Sequence, residues 1–266
     1  MPTYAVLGAT GSTGQSLLNL LLQNPDNTVH AYVRSRSKLE SLSPKLCAHD
    51  NLQIFEGALT DIPLIASCVA HTSTVFAVIG ANKSEPGMRV VQDAAHSLVA
   101  AMCHLQALHP EVPLPKIQFL SSAGINPHYT RDVSPVMIAV GHTALFYAYE
   151  DLKQAEAYLK LHKSWLNVTF IHAGGLTNDV QRGHRLSLEA TSEDMQGFIS
   201  YMDTAAGMIE LAETERDQYN WKGLRVVPTS SDVKFNWGAP MIFVRGIFAY
   251  FLPSTYLALQ RVGLVE

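Results

Sequence analysis

The chain has 266 residues, 47% of them hydrophobic, enough to bury a large core within one α/β unit spanning 1–266. Its 19 Lys and Arg stand against 23 Asp and Glu, a net charge of -4, and no block of like charge points to nucleic acid or an anionic membrane. Cys47, Cys68 and Cys103 have neither metal-ligand spacing nor an even-numbered framework, so a reduced, cytoplasmic setting without a metal site is expected.

The chain opens on YAVLGATGSTGQSL (4–17), an apolar strand run, three glycines and the periodicity of a helix. MPT ahead of it carries no basic region, so the start reads as a strand and not as a leader. Spacing of this kind turns the chain at Gly8, brings backbone close to a diphosphate near Gly11 and packs helix on strand at Gly14. Gly8, Thr10, Gly11, Ser12, Thr13 and Gly14 are therefore the expected phosphate contacts.

The second strand run, TVHAYV (28–33), ends in RSRSKL with no acid before Glu40. A carboxylate there would hold a ribose 2′-hydroxyl, whereas Arg34 and Lys38 suit a 2′-phosphate, so NADP(H) is preferred over NAD(H). Arg34 is the main candidate, since at least one of Arg36 and Lys38 reads as part of a solvated helix start.

Further strand runs follow at LQIF (52–55), TVFAVIG (74–80), KIQFL (116–120), VTFIHA (168–173) and LRVVP (224–228). Helical patterns of crossover length lie between them, notably 90–108 and 148–161. Continuous apolar strands with helical spacers predict an α/β fold with a doubly wound parallel sheet. Two stretches break the alternation, polar 177–198 and the apolar tail 237–264. They are expected to form a small substrate lid over the carboxyl ends of the strands. Arg245 and Pro253 interrupt the tail, which falls short of the roughly 20 apolar residues of a spanning helix. It reads as a packed or dimer-forming helix pair, with peripheral membrane contact left open.

Taken in order, GATGSTG, YVRSRSKL, EGALTD (56–61), TVFAVIGAN (74–82), FLSSAG (119–124), YEDLKQAE (149–156), FIHAGG (170–175) and ISYMDTAAGMIEL (199–211) resemble the short-chain dehydrogenase/reductase superfamily. The resemblance covers nearly the whole chain and is to its atypical, NAD(P)H-binding, NmrA-like branch. It implies a Rossmann fold, a nicotinamide cofactor and oxidation or reduction of a small carbonyl or alcohol. Ala58 stands where the family has an acid facing adenine, which leaves that contact to Leu59. Gly80 and Asn82 would lie along the ribose and diphosphate, and His172 and Gly174, in place of the family's Arg-Pro-Gly, would seat the nicotinamide.

Tyr149 and Lys153, four residues apart, share a helix face. A nearby ammonium favours phenolate and would bring a tyrosine into a useful range. On the resemblance, Tyr149 is the proton donor, Lys153 its tuner and a ribose contact, and Ser122 the hydroxyl that bonds the substrate oxygen, with Ser121 as the alternative. His142, placed at the start of the catalytic helix, and His172 flank the expected cleft and could touch substrate. The expected activity is NADPH-dependent reduction of a carbonyl in a small apolar, aromatic or polyketide-like molecule. Non-redox isomerisation, dehydration or cyclisation, and a nucleotide-sensing role, are the alternatives.

Overall fold

A computed structural model describes residues 1–189, 198–214 and 219–265. The first half alternates strand and helix: β1 (Thr3–Leu7), α1 (Ser12–Leu21), β2 (Thr28–Val33), α2 (Arg36–Leu42), β3 (Leu52–Glu56), α3 (Ile62–Val69), β4 (Thr74–Ala77), α4 (Val90–Leu108) and β5 (Lys116–Ser122). A short helical stretch follows, α5 (Pro127–Thr130) and α6 (Pro135–Ala144), then α7 (Phe146–Lys160) and β6 (Val168–Ala173). Beyond it lie β7 (Gly175–Thr177), β8 (His184–Ser187), β9 (Phe198–Ser200), α8 (Tyr201–Glu213), β10 (Gly223–Pro228), α9 (Ala239–Phe251) and α10 (Pro253–Arg261).

The main sheet runs β3-β2-β1-β4-β5-β6-β10-β8. Every pairing is parallel except β10 with β8. The strand order reverses between β1 and β4, which opens a crevice beyond their carboxyl ends where ligands of such sheets bind. β4 and β6 are buried throughout, as strands covered on both faces must be. One apolar cluster joins the sheet to α3, α4 and α7, and a second joins its other face to α1 and α8.

Departures from expectation lie at the ends and in the second half. Regular pairing in β4 stops at Ala77 and not at residue 80, although the Val78 N–H still bonds the Leu7 carbonyl. The stretch expected to be irregular from 177 supplies an antiparallel edge strand, β8, and β9 pairs with β7 in a separate two-stranded sheet. The remainder of that expected lid, 190–197, lies outside the described residues. The tail forms α9 and α10, bent by 115° at their junction, and no single described helix is long and apolar enough to cross a membrane.

Candidate active site

The glycine loop is built as its spacing requires. Gly8 has φ +99°, a left-handed turn that side chains disfavour. A Cβ at Gly14 would collide with the Gly8 carbonyl oxygen and come within 2.8 Å of the Ala9 Cα, so helix and strand meet at van der Waals limit. Gly11 is the N-cap of α1 and offers no side-chain cap, which leaves the first N–H groups of the helix for a ligand. Ser12 is exposed, Thr10 half-buried and Thr13 buried beneath the loop. The shape and polarity of this cradle fit a diphosphate.

At the end of β2, Arg34 is exposed beside the crevice. Arg36 is differently engaged: its guanidinium donates to the Ile54 carbonyl at 3.1 Å and its backbone N–H to Glu56. Lys38 is exposed, with its N–H capped by Ser35. Tyr32 donates to the Ala58 carbonyl at 2.7 Å, which fixes the turn that carries half-buried Leu59. Gly80 and Asn82 sit exposed where the chain leaves β4.

Across the crevice, Tyr149 and Lys153 line one cleft with His142, Thr143, Phe146, Glu150 and Tyr250, about 240 Å³ in volume. The Tyr149 ring lies on Gly124, where any side chain would strike its hydroxyl. Ser122, at the end of β5, lies beside that hydroxyl, and its Oγ accepts the Gly124 N–H at 3.3 Å. His142 closes the arrangement from the last turn of α6, one helix earlier than expected. Its Nε2 lies 2.9 Å from the Gly124 carbonyl and its ring stands edge-on to Tyr149 at 5.3 Å.

Electrostatics differ from the simple tyrosine–lysine picture. Lys153 Nζ donates to Glu150 at 2.9 Å instead of approaching Tyr149. Burial pushes the Tyr149 phenol above its ordinary value, and the nearby Ser122 hydroxyl offsets this only in part. The expected lowering by the ammonium is absent, because that charge is directed along the helix to an acid.

Two other expected residues fall elsewhere. Strand alternation turns Ser121 and His172, which are register partners, toward the interior beneath α7. Ser121 donates to Glu156 at 2.6 Å, and His172 Nε2 lies 2.9 Å from the same oxygen, with Asn126 against Nδ1 at 3.2 Å. His172 is only 3% exposed and so is not brought to the nicotinamide position. Gly174 stays at the strand end, where a Cβ would meet the Arg225 guanidinium at 3.2 Å.

A family model described as NAD(P)H-binding matches residues 8–215, from the glycine loop through α8. The chain belongs to the NAD(P)H-binding, atypical short-chain dehydrogenase/reductase family. This family member is 39% identical over 256 residues to the oxidoreductase ordB of Dothistroma septosporum, covering 96% of this chain and 94% of that protein. It is 38% identical over 264 residues to the oxidoreductase AgnL4 of Paecilomyces divaricatus, covering 99% of each. A short-chain dehydrogenase/reductase from Veillonella parvula, solved in complex with NADP, shares the fold at a TM-score of 0.63 and 19% identity, over 87% of this chain and 97% of that one. The chain is thus an NAD(P)H-type oxidoreductase with a nicotinamide cofactor.

Sequence reasoning missed buried residues that tie α7 to α4 and to the stretch after β4. Ser84 accepts hydrogen bonds from the Tyr147 and Ala148 N–H groups, and Asp151 accepts them from Val91 and Gln92. No local signal announces them, since each partner lies about sixty residues away in the chain.

Proposed function

We propose that this chain is an NADPH-dependent reductase of a carbonyl in a small apolar metabolite, aromatic or polyketide-like in character. The observation that carries the reading is Tyr149, set in the wall of a cleft with Lys153 and His142 and lying near Ser122. Bound NADPH supplies the hydride. Tyr149 holds a proton on Oη at neutral pH and gives it to the substrate oxygen, and Ser122 stabilises the phenolate left behind. The Lys153–Glu150 ion pair is about two-fifths exposed on both sides, so its worth is only about 0–1 kcal/mol. Redirecting the ammonium toward a ribose therefore costs little. Arg34 and Lys38 receive the 2′-phosphate, Leu59 the adenine, and Gly80 and Asn82 the ribose and diphosphate. The protein works in the cytoplasm as one Rossmann unit, with the 237–264 tail covering the substrate.

The test has two parts. NADPH is expected to raise the thermal midpoint more than NADH, and Arg34→Ala to weaken NADPH binding by about 10- to 100-fold, the loss of one charge-assisted bond. Tyr149→Phe is expected to lower reduction of 9,10-phenanthrenequinone, a general aromatic dicarbonyl probe, by about 10²–10⁴-fold at unchanged NADPH affinity. Because the phenol is pushed up, reduction should stay level through neutrality and decline only above the ordinary tyrosine value of about 10. No thermal shift with either nucleotide would exclude the reading.

A further inference from the structure

The stretch between β4 and α4 and the catalytic helix α7 cap each other. Helix α7 begins at Leu145 without a side-chain cap of its own, and α4 begins at Arg89 likewise. Each therefore starts with N–H groups that no neighbour in sequence satisfies. Ser84 fills the role for α7, its Oγ accepting from Tyr147 at 3.1 Å and Ala148 at 3.4 Å. Asp151, from the second turn of α7, fills it for α4, accepting from Val91 and Gln92 at 2.9 Å each. Both caps are buried, Ser84 at 4% exposure and Asp151 at 1%, so neither bond competes with water.

Tyr149 lies between the two ties. The same stretch starts at Val78 and Ile79, against which Gly8 packs so closely that a Cβ there would sit 3.0 Å from their backbone. A continuous physical path thus leads from the glycine loop through the β4 exit to Ser84 and on to the first turn of α7. We propose that Ser84 and Asp151 are positioning residues that couple occupancy of the nucleotide cradle to the placement of Tyr149. Nucleotide lying along Gly80 and Asn82 orders residues 78–89, and the reciprocal caps hand that order to α7. The inference rests on the nucleotide-binding reading above.

Hydrogen exchange of the full chain, followed by mass spectrometry with and without saturating NADPH, tests it. Protection is expected at 8–16 and, by about fivefold, at 145–153, the scale of one helix cap. Ser84→Ala should abolish the NADPH-dependent change at 145–153 while keeping that at 8–16, and Ser84→Thr should restore it. Should Ser84→Ala not fold, Asp151→Asn takes its place in the same comparison. A purely structural cap would alter exchange equally with and without nucleotide, and that result overturns the coupling. Protection at 8–16 with none at 145–153 in the unmodified protein overturns it too. Absence of protection at 8–16 removes the nucleotide reading itself, and the coupling with it.

Discussion

Glu156 keeps its charge under α7 although burial acts against it. Burial pushes the carboxyl up, but hydrogen bonds from His172, Ser121 and Lys160 outweigh it and hold the group at about 2, against an ordinary 4.5. Since the folded value is the lower one, the stability this acid contributes is complete above about pH 4.5 and is lost as pH falls toward 2. Glu156→Gln preserves shape and removes the charge. Denaturant unfolding at pH 7 is expected to show a loss of about 1.5–3 kcal/mol, the worth of a charged hydrogen bond. The variant should also lose stability less steeply between pH 4.5 and 2, and identical acid limbs in the two proteins would refute the assignment. His172 was visible in the sequence as a residue near the cleft; which face of the sheet it took was not. One position along a strand reverses the face, and only the pairing of Ser121 with His172 settles it.

At the level of elements, the glycine loop was the most legible part, because its requirements are local. Gly8 needs a left-handed turn and Gly14 a side chain small enough for strand contact, and both needs follow from spacing. Gly14→Ala sets a methyl group against backbone that cannot yield. It is expected to cost about 1–3 kcal/mol in thermal or denaturant unfolding and to abolish the NADPH-induced thermal shift. A variant with unchanged stability and nucleotide response would show that α1 does not seat as described. Helix α7 was legible in its tyrosine and lysine and illegible in its caps. Local rules predict caps from neighbouring residues, whereas α4 and α7 take theirs from each other across the fold.

On the scale of the molecule, the tail completes the cleft. α9 crosses α6 where Gly246 meets the Ala144 carbonyl, a contact so close that no side chain fits between them. Tyr250 reaches the cleft from this helix and stacks edge-on with Phe146 at 5.1 Å, while Tyr147 turns away toward the Ala249 carbonyl. α10 adds Gln260, which donates to Glu85 at 2.9 Å and so ties this helix to the stretch between β4 and α4. Gly246→Leu should force α9 off α6, with about 1–3 kcal/mol lost on unfolding and a larger rise in KM for 9,10-phenanthrenequinone than fall in kcat. An unaltered KM would mean that α9 does not form a wall of the substrate site.

The amino-acid sequence alone determined the doubly wound layout, the tight glycine loop, the basic end of β2 and the placing of Tyr149 and Lys153 on one helix. Each depends on periodicity or on a conformation that few residues can adopt, and such constraints act between near neighbours. Only the tertiary structure decided that His172 turns inward to Glu156 and that Ser84 and Asp151 cap helices remote in sequence. Those outcomes are set by which polar group reaches a buried partner first in three dimensions, and hydrogen bonds across the fold leave no period in the chain.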